Sequence, residues 1–266
     1  MPEGDRDHIL RGRHLTRFVD FHCHLDLYPD FEALVAECER LSIYTLAVTT
    51  TPRAWSKNKA VASKTKYIRV GLGLHPQLVG THSKEIDLWE KLLHETAYVG
   101  EVGIDASPQY AKSLPEQKQV FERVLKACSS EGGKVLSIHA VRSASLVLDM
   151  LEEHLDLSAN TPVFHWFSGS PSEARRAAKL GCMFSINDRM LTGSKTQALL
   201  KAIPEEAMLT ETDGPFTETG GKTSRPKDVH ICVNHLATQI GRDPTAVQSL
   251  VFENLKRLLG QIRREP

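Results

Sequence analysis

A chain of 266 residues, 41% hydrophobic and 25% charged, has the composition of an ordinary globular α/β protein able to bury a sizeable core. Its formal net charge of +0 excludes a global positive field, so a nucleic-acid partner would have to be held by local groups and metal ions. The five scattered cysteines lack a CxxC pair, which excludes a disulfide framework and a zinc knuckle and points to a reducing cytoplasm. No run approaches the roughly 18 apolar residues of a membrane span, and no signal peptide or membrane contact is expected.

Residues 1–16 are polar and charged and read as a flexible N-terminal arm. Short apolar runs then recur at 17–21, 44–49, 68–74, 97–101, 134–138, 161–165, 182–186 and 207–211, each with the length of a buried strand. Helical patterns fill the intervals. Ser113-Leu114-Pro115-Glu116, Ser170-Pro171-Ser172-Glu173 and Ser194-Lys195-Thr196-Gln197 read as capping boxes, and Asp243-Pro244 opens a last helix over 244–259 that Gly260 would stop. Eight strands alternating with helices and no internal linker predict a single (β/α)8 TIM-barrel domain over 17–266, with its active site at the C-terminal rim. A doubly wound open sheet is the alternative.

The positions of the polar residues favour the barrel. His22 and His24 follow the first run one residue apart, so on a strand both imidazoles face one side and can grip one ion. Glu101, His139, His165 and Asp213 each end another apolar run, from strands four, five, six and eight. An open sheet would spread these ligands apart, whereas a barrel gathers them on one rim. Glu101, flanked by Gly100 and Gly103, can approach two cations and bridge them with its two oxygens. His139 and His165 would complete a second site sharing Glu101, and Asp213 would serve as ligand and general base. Two divalent ions are therefore expected, with Zn, Mg or Mn as candidates.

Asp20-Phe21-His22-Cys23-His24-Leu25, Gly73-Leu74-His75-Pro76, Gly100-Glu101-Val102-Gly103-Ile104-Asp105, Ile138-His139, His165-Trp166-Phe167-Ser168-Gly169 and Glu211-Thr212-Asp213-Gly214-Pro215 resemble the successive motifs of the TatD-type metal-dependent DNases. The resemblance covers about residues 18–260 and implies an amidohydrolase-like barrel that hydrolyses DNA. Carried over by position, it implies that His22, His24, Glu101 and Asp213 hold one ion and that Glu101, His139 and His165 hold the other. His75 would contact substrate phosphate. Arg142 stands one position later than the family's usual arginine and would be its phosphate contact; Trp166 replaces a small residue or cysteine. The stretches Leu72 to Leu78 and Ser224 to Lys227 further resemble the TatD-like component of Qat anti-phage defence systems, which implies an ATPase and a QueC-like protein as partners.

Further residues suggest how a strand could be held. After strand two, Arg53, Trp55, Lys57 and Lys59 combine a stacking ring with three cations, as in a single-strand groove, or form an ordinary amphipathic helix start. Arg225 would clamp a phosphate with its planar fork or make an ion pair at a helix entry. Trp166 would stack a base or pack at the rim, and Glu211 would orient a ligand or water from behind. Three functional classes follow: a DNA phosphodiesterase acting on single strands or ends, a dinuclear ester or amide hydrolase with a small or aminoacyl substrate, and a mainly partner-binding subunit. Retention of all six ligand-type residues disfavours the last.

Overall fold

The protein is described here by a computed structural model that covers residues 17–261; the predicted arm over 1–16 lies outside the described residues. The barrel strands are β1 (Val19–Cys23), β2 (Tyr44–Val48), β3 (Ile68–Gly71), β4 (Tyr98–Asp105), β5 (Val135–Val141), β6 (Thr161–His165), β7 (Met183–Ile186) and β8 (Met208–Thr210). All neighbouring pairs within β1–β3 and β4–β8 are parallel. Two seams close the ring. At the first, Leu72 N–H donates to Tyr98 O and Gly100 N–H to Leu72 O, both at 3.0 Å. At the second, Thr210 Oγ1 donates to Val19 O at 2.6 Å, and Asp213 N–H donates to His22 O at 2.9 Å. The predicted parallel TIM barrel is therefore the fold observed, and the open sheet is not.

Two glycines make the ring tight where it carries polar residues. A Cβ on Gly73 would stand 1.7 Å from the carbonyl oxygen of Thr49, and one on Gly103 would stand 2.1 Å from that of His139. Gly103 also has φ +138°, a conformation that other residues adopt at a cost. Bulges interrupt the register of β1 between Asp20 and Cys23 and of β4 between Val99 and Val102. Such extra residues re-aim side chains at a barrel rim.

Outside the ring lie α1 (Phe31–Leu41), α2 (Pro52–Ala62), α3 (Val79–His82), α4 (Ile86–Leu92), α5 (Leu114–Glu131), α6 (Ala144–His154), α7 (Pro171–Lys179), α8 (Thr196–Leu200), α9 (Val229–Ile240) and α10 (Pro244–Gln261). A small hairpin, β9 (Glu218–Thr219) and β10 (Lys222–Thr223), follows the last barrel strand and was not anticipated. Of the three predicted capping boxes only Ser170 forms one, its Oγ accepting Glu173 N–H while Glu173 accepts Ser170 N–H. Ser113 Oγ donates instead to Tyr110 O, and α8 starts two residues beyond Ser194. Gly260 lies inside α10 and does not stop it. Among the described residues, no helix is long and apolar enough to cross a membrane.

The expectation that Trp55 stacks a nucleic-acid base is corrected by its position. Pro52, Trp55, Asn58 and Ala62 form the buried face of α2, and Trp55 is only 2% exposed. Its indole N–H points to Val70 O at 3.4 Å, as that of Trp89 on α4 donates to Leu72 O at 3.0 Å. Both indoles thus cover the chain at β3, next to the first seam. Trp55→Ala is expected to destabilise the fold by about 3–5 kcal/mol, the cost of emptying a large aromatic site. A urea melt checks this; a variant as stable as the parent contradicts the packing role.

Candidate metal centre

Seven polar side chains converge at the C-terminal rim, and Glu101 lies at their centre. Its Oε2 is 3.3 Å from His22 Nε2 and 3.1 Å from His24 Nε2. Its Oε1 is 2.6 Å from His139 Nδ1, 3.0 Å from His165 Nε2 and 3.1 Å from His75 Nε2. Asp213 Oδ1 stands 3.6 Å from His22 Nε2 and 3.8 Å from His24 Nε2, too far for hydrogen bonds. The cleft above has a volume of about 360 Å³ and is lined by His24, His75, Glu101, His139, His165 and Asp213, with His22 fully buried beneath.

The outward nitrogen of several rings is committed elsewhere, which fixes what each presents to the centre. His139 Nε2 is 3.1 Å from Asp105 Oδ2, and His22 Nδ1 is 2.7 Å from Ser137 Oγ. A carboxylate behind an imidazole fixes the ring and raises its basicity, as behind many metal-bound histidines. His75 differs: its Nδ1 accepts Gln77 N–H at 3.2 Å, so in the neutral ring the proton is on Nε2, which faces Glu101 Oε1. His165 Nδ1 faces Glu211 Oε1 at 3.5 Å without reaching hydrogen-bond distance.

The donor set fits divalent ions. His24 Nδ1 and Asp213 Oδ1 are buried with no hydrogen-bond partner among the described residues. Three donor triads lie together: His22, His24 and Glu101; His22, His165 and Asp213; and His75, Glu101 and His139. Ligands each about 2 Å from one ion stand roughly 3–4 Å apart, as these do. The predicted grouping of His139 with His165 differs in one respect: the donor triad that contains Glu101 and His139 includes His75, whose ring centroid is 4.9 Å from that of His139, against 5.6 Å for His165.

Burial and mutual charge set the protonation of the cluster. Burial would raise Glu101, but His75, His165 and His22 outweigh it and hold the carboxyl well below its usual value. Burial pushes Asp213 up to about 7, despite the opposing pull of His165. His165 would be lowered by burial, yet Glu101 and then Glu211 hold it well above the ordinary histidine value. Burial, reinforced by His165, lowers His22.

The profile of the TatD related DNase family matches residues 19–260. The chain belongs to the TatD-related DNase family. It is 24% identical over 266 residues to human deoxyribonuclease TATDN3, spanning 92% of this chain and 95% of that protein. Over 244 residues it is 25% identical to the 3'-5' ssDNA/RNA exonuclease TatD of Dickeya dadantii, spanning 86% and 91%. Among solved structures, the TatD homologue YjjV of Escherichia coli K12 superposes with a TM-score of 0.78 at 23% identity, over 92% of this chain and 98% of that one. An uncharacterized amidohydrolase of Saccharomyces cerevisiae reaches 0.75 at 14% identity, over 91% and 99%. The amidohydrolase-like barrel is thus shared across wide sequence divergence.

The remaining predicted substrate contacts of this TatD-family chain divide. Trp166, half-buried beside His165, lines the cleft. Arg142 lies in a neighbouring hollow that shares Ala140 and Ser168 with the cleft, and its guanidinium has no ion-pair partner among the described residues. Arg225 does not line the cleft: its fork reaches Asp30 at 2.7 Å and Glu37 at 3.4 Å, so the helix-entry ion pair replaces the expected phosphate clamp. Arg53, exposed on the first turn of α2, pairs with Glu85 at 2.9 Å and also lies outside the cleft, which corrects its substrate role. Lys59 pairs with Glu95.

Sequence reasoning missed Asp105 and Ser137. Glu101, Gly103 and Asp105 alternate along β4, as Ser137 and His139 do along β5; extending the strand-four reading by four residues would have found Asp105. Asp105 also accepts Gln77 Nε2 at 2.8 Å, linking the rings of His139 and His75 through one carboxylate.

Loading the cluster with a divalent ion must displace the protons held by Asp213 and His165. Affinity for Zn²⁺ should therefore fall as the pH drops through about 7, where Asp213 takes up its proton, and loading there should release protons. Calorimetry in buffers of different ionisation enthalpy measures that release. Affinity independent of pH between about 6 and 8 contradicts the assignment.

Proposed function

We propose that the protein is a metal-dependent phosphodiesterase that cuts DNA at single strands or strand ends. The observation that carries this reading is the convergence of five histidines and two carboxylates on one cleft in a chain of the TatD-related DNase family. In this reading His22, His24, Glu101 and Asp213 would hold one ion and Glu101, His139 and His165 a second, with Glu101 shared by both sites. Bound divalent ions would offset phosphate charge and make a water more acidic.

The chain's own residues supply the rest. Asp213, with an unpartnered Oδ1 at the cleft, takes the proton of the attacking water. His75 lines the cleft and in this reading donates its Nε2–H, which otherwise faces Glu101 Oε1 at 3.1 Å, to a phosphate oxygen, stabilising charge that grows in the transition state. Asp105 and Ser137 hold His139 and His22 in place, and Glu211 faces His165. Arg142, at the edge of the cleft, supports an additional phosphate contact. The names of relatives that act on DNA or single-stranded nucleic acid support the substrate class.

Residues 72–78 and 224–227 support a narrower reading, the TatD-like component of a Qat anti-phage system that works beside an ATPase and a QueC-like protein. Five buried cysteines, all free, support a reducing cytoplasm.

The test is a panel of single-stranded DNA, duplex DNA, RNA, a chromogenic phosphodiester and an aminoacyl ester, offered to the metal-reconstituted protein and its His75→Ala variant. Single-stranded DNA should be cut fastest. The variant should keep parental metal content and lose about 10²-fold in turnover, the scale of one lost proton-transfer or charge-stabilising contact. Preference for the carbonyl ester over every phosphodiester refutes the nuclease reading, and loss of metal from the variant makes His75 a ligand.

A further inference from the structure

Phe216 is the most exposed large hydrophobic side chain among the described residues, at 61%, and it stands on the lip of the cleft with the charged cluster. A lone exposed apolar residue is ordinary on a protein surface. This one differs in being built into the site. Its N–H donates to Asp213 O at 2.9 Å, so the turn that places Asp213 also places the ring. The ring meets His24 edge-on, centroids 5.1 Å apart and planes at 85°, which leaves a face for another group. Trp166 lines the same cleft and is held by its N–H to Glu211 Oε1 at 3.0 Å.

Two aromatic side chains thus border the cleft that holds the histidine and carboxylate cluster. A simple phosphate ester offers them nothing to bind, whereas a nucleotide carries a planar base next to its phosphate. We infer that Phe216 stacks on the base of a nucleotide flanking the scissile phosphate and so selects an unpaired nucleotide at that position. This inference rests on the nuclease reading. A paired base inside a duplex has both faces covered by its neighbours, so only an unpaired or terminal nucleotide can present one to the ring. Stacking tolerates every base because each has a π-face, so the selection is for strandedness and not for sequence.

The experiment uses the metal-reconstituted full chain and short single-stranded oligonucleotides, each with one abasic nucleotide at a different position. The parent should lose about tenfold in kcat/KM when the abasic nucleotide occupies the stacking position, the scale of one base–aromatic stack. Phe216→Ala should cut the abasic and intact oligonucleotides alike, and Phe216→Trp should restore the discrimination. General damage to the site cancels in that ratio, because both substrates share the scissile bond. The inference is overturned if Phe216→Ala still discriminates tenfold, or if no abasic position slows the parent. A parent that cuts no oligonucleotide at all overturns the nuclease reading and this inference with it, so the two failures are distinct.

Discussion

One buried carboxylate organises this molecule. Glu101 is 1% exposed, yet five histidine nitrogens lie within 2.6–3.3 Å of its two oxygens. A charge so deep is costly unless hydrogen-bonded and compensated, and the cluster does both. The histidines come from the ends of β1, β3, β5 and β6 and the turns beyond them, so the carboxylate can be satisfied only when those strands stand side by side. Barrel closure and the chemistry of the cleft are one constraint. The rear hydrogen bonds to Asp105, Ser137 and Gln77 fix the rings of His139, His22 and His75 before any ligand arrives, which is how a site avoids reorganising on binding.

The second seam shows how closure also sets Asp213. Asp20 is fully buried in β1 and accepts Thr212 N–H at 2.8 Å and Thr212 Oγ1 at 2.6 Å across the junction with β8. Its carboxyl is raised well above the usual range, first by burial and despite those hydrogen bonds. The next residue, Asp213, is held with φ +54° and donates its N–H to His22 O. A non-glycine residue held at positive φ is uncommon and signals that the surroundings determine it. Phe216 then follows within the same turn, so the cleft carboxylate of Asp213 and the aromatic lip share one piece of chain.

Much of this was legible because each donor follows an apolar run, and the strand period tells which side its neighbour faces. His22, His24, His139, His165, Glu101 and Asp213 all sit where those runs end. The full length of β4 was less legible, since Gly100 and Gly103 break the apolar run that marks a strand, and with it Asp105 was lost. Trp55 is legible only in part: Pro52, Trp55, Asn58 and Ala62 show the one-face spacing of the ordinary amphipathic helix start that is observed, while the nearby cations point toward the single-strand groove. Arg225 could not be settled locally. Its carboxylate partners Asp30 and Glu37 lie nearly 200 residues earlier in the chain, and only the closed ring brings them together.

The most direct test of the account is metal content by elemental analysis of the parent and Glu101→Ala after reconstitution with the same divalent ion and removal of excess. If Glu101 bridges, the parent holds two ions per chain and the variant holds neither tightly, because each site loses a ligand and the histidines lose the charge that gathers them. Two ions retained by a folded Glu101→Ala variant contradict the account at its centre.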